Sequence, residues 1–245
     1  MGQKKASGID RMNSMGEDSF LPLLEEGLIR LDLRQDSVLS LLTKYIEEIE
    51  LFNPAYGLVK VKDRRELVVK HIFDSLAPIN ILRSRALGAG SRCMPNKTIA
   101  DIGSGAGLPG IPLAVCMDDA EFTLVERMGR RAGFLRNTVA VLGLSNVKIE
   151  EADMGKLSIP EKFNLIVFRA FKPLNSGILK GLLRLLAPGG IIASYKGRRQ
   201  TIEEEMEQVL GKRQAQDSCA RSSWEIVSLN VPFLDEERHL VLISK

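Results

Sequence analysis

The amino-acid sequence predicts an α/β fold in which a mostly parallel, seven-stranded sheet carries helices on both faces. From Thr98 onwards, short apolar runs typical of strands alternate with segments whose apolar residues recur at helical spacing, as in parallel sheets. The last two strand-like runs have no helix between them, so we expect an antiparallel hairpin at one edge. The periodic segments before Thr98 have helical spacing, which predicts an N-terminal helical extension.

The extension is expected to contain three helices. Two apolar stripes between Phe20 and Phe52 predict two helices, the second capped by Asp36-Ser37. We expect Asn53-Pro54 to end that helix, because a residue before proline is disfavoured in the helical region. A basic helix is predicted over Arg64–Leu82, and the glycine-rich run Gly88–Ser91 is the expected boundary to the sheet domain.

The sheet domain is expected to alternate strands and helices in chain order. The predicted strands are Thr98–Ile102, Phe122–Val125, Val147–Glu150, Leu165–Phe168, Ile191–Tyr195, Glu225–Val231 and His239–Ile243. The predicted helices are Leu108–Met117, Arg127–Leu142, Asn175–Leu186 and Thr201–Leu210. We therefore divide the chain into a flexible leader (1–18), a helical extension (19–97) and a sheet domain (98–245), the last two packing as one unit.

Composition excludes several classes of protein. The 245 residues are 44% hydrophobic and 27% charged, which is typical of a globular protein. The three cysteines have no CxxC spacing and there are only two histidines, so we expect neither a disulfide scaffold nor a metal site. No apolar run is long enough to span a membrane. A cytoplasmic monomer is expected.

The modest net charge of +3 is unevenly distributed along the chain. Glu17–Glu50 contains nine acidic and three basic residues, whereas Lys60–Lys97 contains nine basic and three acidic ones. Arg127–Lys148 contains five basic residues and no acidic one. Each run could be a solvated face, but together they favour a phosphate-rich partner if they converge in space.

The strongest motif is the glycine-rich loop between the first strand and its helix. It reads Asp101-Ile-Gly103-Ser-Gly105-Ala-Gly107-Leu108-Pro-Gly110. Such a loop lies at the carboxyl end of a parallel strand, where open α/β sheets bind ligands. The GxGxxG match within it is a weak sign of a dinucleotide, and a tight turn without a ligand is the alternative.

One of two strand-end acids favours S-adenosylmethionine (SAM) over a dinucleotide at this loop, and the other suits both. Asp101 stands at the end of the first strand, where a carboxylate suits the ammonium of a methionine group and would repel a pyrophosphate. Glu126 ends the second strand and can accept from both ribose hydroxyls, as an acid does in either class of site. After the third strand, Asp153 and the backbone of Met154 and Gly155 are expected to contact adenine, although Asp153 could instead belong to an acidic surface loop.

Seven segments of the chain resemble the RsmG (GidB) methyltransferases over roughly residues 35–245. They are His71–Leu76, Asp101–Pro112, Phe122–Glu126, Arg130–Arg136, Phe168–Ala170, Tyr195–Gly197 and Glu237–Leu240. The combination of HxxDSL with DxGSGxGxPG is specific, whereas each half alone is less so. The resemblance implies a class I, Rossmann-like SAM-dependent fold and methylation of N7 of a guanine in 16S ribosomal RNA, with S-adenosylhomocysteine as the product.

The resemblance also implies roles for single residues. It places SAM contacts at Gly103, Leu108, Met154 and Gly155 and at Arg169, and the ribose at Glu126; the loop motif adds Asp101, Gly105 and Gly107. The chain departs from the family pattern at Gly57, Asn164 and Asp153–Gly155, which leaves any side-chain role of the last segment open.

Methylation of guanine N7 requires positioning rather than a general base, because N7 carries a lone pair and no proton. Arg169 leaves the fourth strand beside the expected transfer position and could bind guanine, phosphate or SAM, or pair with Asp153. His71 and Asp74, one helical turn apart, could orient each other over SAM or form a packing pair.

The expected RNA contacts are Arg130, Arg131, Lys196 and Arg198, the last two with a solvated loop as the alternative. The other functions that remain open are methylation of another RNA or of a protein, an NAD-dependent oxidoreductase, and an RNA-binding module without catalytic activity.

Overall fold

The computed structural model describes residues 20–86, 97–159, 161–169, 173–210 and 223–244. Within these ranges seven strands form one sheet in the order β3-β2-β1-β4-β5-β7-β6. The strands are β1 (Thr98–Ile102), β2 (Glu121–Val125), β3 (Val147–Glu150), β4 (Phe163–Arg169), β5 (Leu186–Lys196), β6 (Ser223–Leu229) and β7 (Arg238–Ser244). Strands β1 to β5 are parallel, and β7 pairs antiparallel with both β5 and β6. The predicted sheet and its antiparallel hairpin are confirmed.

Nine α-helices lie within the described ranges. They are α1 (Phe20–Arg30), α2 (Asp36–Tyr56), α3 (Arg64–Leu67), α4 (Asp74–Leu76), α5 (Ile79–Ala86), α6 (Gly110–Cys116), α7 (Gly129–Leu142), α8 (Ser176–Leu185) and α9 (Arg199–Leu210). A π-helical turn, Val68–Phe73, joins α3 to α4, and a 3₁₀ turn, Met154–Lys156, follows β3. The leader and the glycine-rich boundary predicted from the sequence lie outside the described residues.

The sheet has a separate hydrophobic layer on each face. Along β1, Ile99 belongs to the layer shared with α1, α2, the π-turn, α6 and α7, whereas Ala100 and Ile102 belong to the layer under α8 and α9. This alternation follows from the pleat of a strand, which sends successive side chains to opposite faces. The helical extension thus shares its core with one face of the sheet. No helix among the described residues is long and apolar enough to cross a membrane.

The prediction that Asn53-Pro54 ends the second helix is wrong. Helix α2 continues to Tyr56 and ends at Gly57, whose φ of +57° is left-handed and whose N–H donates to the Asn53 carbonyl. Pro54 destabilises the helix little at this position, because only one carbonyl loses its N–H partner. The helix ends two residues later, at Tyr56, where Gly57 caps it. The start also differs: Gln35 is the N-cap residue, without a side-chain cap bond, and Asp36 lies in the first turn.

Two other elements differ from the sequence prediction by more than the one or two residues seen at the remaining boundaries. The predicted helix over 64–82 is interrupted by the π-turn and by a two-residue turn before α5. Strand β5 begins at Leu186 rather than Ile191, because Leu186 already pairs with Phe163 of β4. The pairing register then shifts before Leu165 meets Ile191, so residues 187–190 form an irregularity within the strand.

Candidate active site

The carboxyl ends of β1, β2 and β3 and the start of α8 surround a cavity of about 440 Å³. Four of the predicted cofactor-binding residues line it, namely Gly103, Glu126, Asp153 and Met154. Sequence reasoning did not identify Met128, Asn175 and Ile178, which also line it. Asn175 has a recognisable signal, because an Asn before an apolar helical stripe is a typical N-cap and its side chain accepts from the Ile178 amide.

The glycine-rich loop brings backbone close to this cavity. Its Gly103 N–H donates to the Val125 carbonyl at 2.8 Å, which turns the loop towards the end of β2. Gly105 and Gly107 have φ values of +59° and +91°, which other residues rarely adopt. A Cβ on Gly107 would lie 2.8 Å from the Ile111 side chain, whereas one on Gly105 would meet only ordinary van der Waals neighbours, the nearest of them 3.9 Å away. Gly107 therefore allows close packing, whereas Gly105 is required by its backbone angle rather than by lack of space.

Glu126 joins the two loops that form the edge of the cavity. Its buried carboxylate accepts from the Gly105 amide at 3.0 Å through Oε2 and from the Met128 amide at 2.8 Å through Oε1. Because each carboxylate oxygen has two lone pairs, both oxygens can also accept from a ligand hydroxyl. The position predicted to hold ribose thus has a fixed carboxylate facing the cavity.

Asp101 lies behind the glycine-rich loop rather than in the wall of the cavity. Its side chain is fully buried, and Oδ2 accepts from the Gly110 amide at 2.9 Å. Among the described residues, Oδ1 has no hydrogen-bond partner. Burial raises the pKa of the Asp101 carboxyl to about 7, against the opposing effects of the Gly110 amide and the Arg169 charge. One oxygen of this carboxyl is therefore an unused acceptor, buried behind the loop and outside the lining of the cavity.

Arg169, at the end of β4, is held by three acceptors from the helical extension. Its Nη1 donates to Asp74 Oδ2 at 2.9 Å and to the Lys70 carbonyl at 3.1 Å, and its Nη2 lies 2.7 Å from His71 Nδ1. A guanidinium only donates, so His71 Nδ1 is the acceptor and the ring is neutral. Burial and the Arg169 charge lower the pKa of His71 to about 4, in agreement with that assignment.

The π-helical turn explains why these acceptors meet Arg169. After it, the Asp74 N–H donates to the His71 carbonyl, and the Lys70 carbonyl accepts from Arg169. Asp74, 4% exposed, also lies 3.3 Å from Nε of Arg238 and so pairs with a second arginine. The proposed pairing of His71 with Asp74 becomes a shared contact with Arg169, and the acidic partner of Arg169 is Asp74 rather than Asp153.

The loop after β3 is held by its own hydrogen bonds and by a contact with α8. Asp153 is exposed and caps the 3₁₀ turn by accepting from the Gly155 amide at 2.9 Å. The Met154 carbonyl accepts from Arg184 at 3.2 Å, which fixes the loop against α8. Gly155 and Leu108 are outside the lining of the cavity, and the Leu108 side chain is buried.

The predicted RNA contacts fall into two groups. Arg130 and Arg198 are exposed, and Arg131 lines the cavity, with Nη2 3.4 Å from the Gly57 carbonyl. That contact joins the second basic segment to the end of α2 beside the cavity. Lys196 is different, because its ammonium lies 2.8 Å from both carboxylate oxygens of Glu205.

The residues of the cavity fit SAM. Glu126 offers carboxylate acceptors for a ribose, and the Gly103 backbone lies in the same wall. Among the described residues there is no cluster of His, Cys, Asp or Glu that could hold a metal. The fold and this site define a class I SAM-dependent methyltransferase.

Comparisons with known proteins identify the family within this class. The family model described as rRNA small subunit methyltransferase G (GidB) matches residues 38–241. The Ribosomal RNA small subunit methyltransferase G of Treponema pallidum (strain Nichols) is 41% identical over 227 residues, covering 90% of this chain and 92% of that protein. The protein of the same name from Treponema denticola is 35% identical, covering 91% of this chain and 94% of that protein. The chain belongs to the GidB family.

Solved structures at low sequence identity share the fold. A SAM-dependent methyltransferase from Aquifex aeolicus has a TM-score of 0.52 at 14% identity, covering 81% of this chain and 97% of the other. A Klebsiella pneumoniae structure provisionally assigned as an O-methyltransferase has a TM-score of 0.57 at 18% identity, covering 90% and 95%. These two likenesses concern the fold alone.

Proposed function

We propose that this protein transfers the methyl group of SAM to N7 of a guanine in the ribosomal RNA of the small subunit, with S-adenosylhomocysteine as the product. The observation that carries the proposal is the cavity at the strand ends in a chain that matches the GidB family model over residues 38–241. The family supplies the class of substrate, and the cavity supplies a place for the methyl donor.

The cavity can hold SAM with groups from three strand ends. Glu126 would accept from the ribose hydroxyls, and Asp101 from the ammonium of the methionine group. The backbones of Gly103, Gly105, Gly107 and Leu108 would follow the methionine group, and Asp153, Met154 and Gly155 would contact the adenine. When bound, SAM supplies an electrophilic methyl group on a sulfonium.

The arrangement around Arg169 suits a reaction without a general base. His71 Nδ1 already accepts from Arg169, and its low pKa keeps the ring neutral, so it is poorly placed to remove a proton. Guanine N7 carries no proton, so none has to be removed. Arg169 uses three of its five N–H groups on described residues, and the other two can donate to guanine O6, to phosphate or to SAM.

The basic groups beside the cavity suit an RNA substrate. Arg130 and Arg198 are exposed, and Arg131 lies at the cavity itself. Such groups neutralise phosphates and release counterions, so binding should weaken steeply with salt. We propose that these arginines position the RNA while Arg169 and SAM select the reacting base.

The direct test uses small subunits from cells that lack the modification, incubated with methyl-labelled SAM. We expect label in the rRNA at a nucleotide that becomes sensitive to the borohydride and aniline cleavage specific for 7-methylguanine. Glu126→Gln should weaken SAM binding about 10- to 100-fold in calorimetry, because one of its two amide contacts and the carboxylate charge are lost.

Three results would separate this function from the others. Label on another atom of the RNA or in a protein would show that the protein is a methyltransferase with a different target. Binding of NAD in preference to SAM would indicate an oxidoreductase. RNA binding without affinity for either small molecule would indicate a binding module.

A further inference from the structure

The ion pair between Lys196 and Glu205 connects the end of β5 to α9. Lys196 Nζ lies 2.8 Å from each carboxylate oxygen, and the two side chains are 18% and 15% exposed. An ammonium held by both oxygens of a shielded carboxylate is less available to an RNA phosphate than a free surface lysine. Lys196 therefore needs an explanation other than direct RNA contact.

Glu205 has a second contact that leads to the cavity. Its Oε1 also accepts from the backbone amide of Leu174 at 2.5 Å, in the segment between β4 and α8. The next residue, Asn175, caps α8 and lines the cavity together with Ile178. One carboxylate thus joins Lys196 to the backbone of the residue that precedes this wall of the cavity.

Helix α9, which carries Glu205, is fixed by hydrophobic packing. Ile202 and Met206 of α9 are 2% and 1% exposed and belong to the same hydrophobic cluster as Leu174. Because α9 is fixed by this packing, Glu205 can hold the Leu174 backbone in place, and Lys196 restrains the carboxylate rotamer.

We infer that Lys196 and Glu205 are positioning residues that hold the Leu174–Ile178 wall of the cavity and so set the affinity for SAM rather than for RNA. We call these two side chains and the Leu174 amide the α9 anchor. The inference rests on the proposed function in that it takes SAM as the ligand of the cavity.

A matched pair of variants tests the role of the α9 anchor, Lys196→Met against Arg198→Met. Each removes one positive charge, and the positions are two residues apart. Lys196→Met should raise the dissociation constant for SAM about tenfold, the effect of losing roughly one hydrogen bond to a charged group. It should leave the salt dependence of RNA binding unchanged, whereas Arg198→Met should lower the salt slope by about one and leave SAM binding unchanged.

Two further measurements separate positioning from a loss of stability. Lys196→Arg should restore SAM affinity, because arginine can also bond both carboxylate oxygens. In the ligand-free protein, Lys196→Met and Glu205→Ala should speed amide hydrogen exchange in the 174–178 segment, while Arg198→Met should not. The thermal midpoint of each variant, measured alongside, must stay above the temperature of these assays.

The inference is overturned if Lys196→Met lowers the RNA salt slope and leaves SAM affinity and exchange at 174–178 as in the wild type. It is also overturned if Glu205→Ala is folded and the amides of residues 174–178 in this variant exchange their hydrogens at the wild-type rate. Failure of the proposed function has a different signature: wild-type protein that does not label rRNA, whatever the exchange rates show.

Discussion

Asp74→Asn tests whether one buried carboxylate organises the side chains around Arg169 at the end of β4. The Asp74 carboxylate lies 2.9 Å from Nη1 of Arg169 and 3.3 Å from Nε of Arg238. The Asp74 and Arg169 side chains are 6% and 13% exposed, so water screens this pair poorly. The substitution keeps the shape of the side chain and removes its charge.

The expected loss of stability follows from the burial of this pair. Removing one partner of a buried ion pair costs about 3–5 kcal/mol, because the other charge remains without compensation. We expect the lower end, about 3 kcal/mol, because Asn keeps one oxygen that can accept and Arg238 retains Glu236 at 2.9 Å. In a chain of this size that corresponds to a decrease of about 6–12 °C in the melting temperature.

Calorimetry of Asp74→Asn and of Glu236→Gln provides the measurement and its control. Glu236 is 53% exposed and pairs with Arg238 and Lys70, so its loss should cost less than about 1 kcal/mol. We also expect Asp74→Asn to lower methyl transfer to rRNA at temperatures where it is folded, because Arg169 loses its charged acceptor. A melting temperature within about 2 °C of the wild type, less than the shift expected from 1 kcal/mol, would refute the reasoning.

Three further predictions concern the glycine-rich loop and the two titrating groups. Gly107→Ala should destabilise the protein by about 2–5 kcal/mol through backbone strain and overpacking against Ile111, whereas Gly105→Ala carries only the strain, about 1–2 kcal/mol; urea unfolding of both measures the difference. As the pH rises from 5 to 8, the free energy of unfolding of Asp101→Asn should increase by about 3 kcal/mol relative to that of the wild type. The raised pKa of Asp101 in the folded protein makes wild-type stability fall as the pH rises towards 7, whereas Asn does not titrate. On acidification from pH 6.5 to 4, His71→Gln should lose less stability than the wild type, by at most about 3 kcal/mol. The reason is that His71 takes up a proton in the unfolded wild-type chain but not in the folded one. Measuring the free energy of unfolding at several pH values tests the predictions for Asp101→Asn and His71→Gln.

The strands and strand-end residues were predictable because their signals are local. Strands β1 and β3 have the bounds expected from the sequence, since short apolar runs there are followed by glycine or charged residues. Parallel strands place their carboxyl ends at one edge, so Glu126 and Arg169 could be assigned to the same edge of the sheet without knowing any contact. The glycine-rich loop added the ligand class.

The partners of these residues were not predictable, because they come from distant parts of the chain. Arg169 is 95 residues from Asp74, and sequence spacing does not rank Asp74 above Asp153 as its acceptor. The π-turn that aims the Lys70 carbonyl at Arg169 has no recognisable sequence signal. Similarly, the charge of Lys196 indicated phosphate, and only the three-dimensional position of Glu205 shows that this ammonium is already paired.

The charge distribution along the sequence overstates the basic surface. Several basic residues of the Lys60–Lys97 run contact acids: Arg64 with Glu50, Lys70 with Glu66 and Glu236, Arg85 with Glu225, and Lys97 with Asp119. Much of the excess counted in this run is therefore neutralised locally. The exposed Arg127 and Arg130 and the partly buried Arg131 begin α7 or precede it, and Arg127 and Arg131 line the cavity. Positive charge is thus largely neutralised in the Lys60–Lys97 run and remains at the cavity edge formed by the start of α7. Such a distribution would direct a polyanion towards the methyl donor, as a reaction governed by positioning requires.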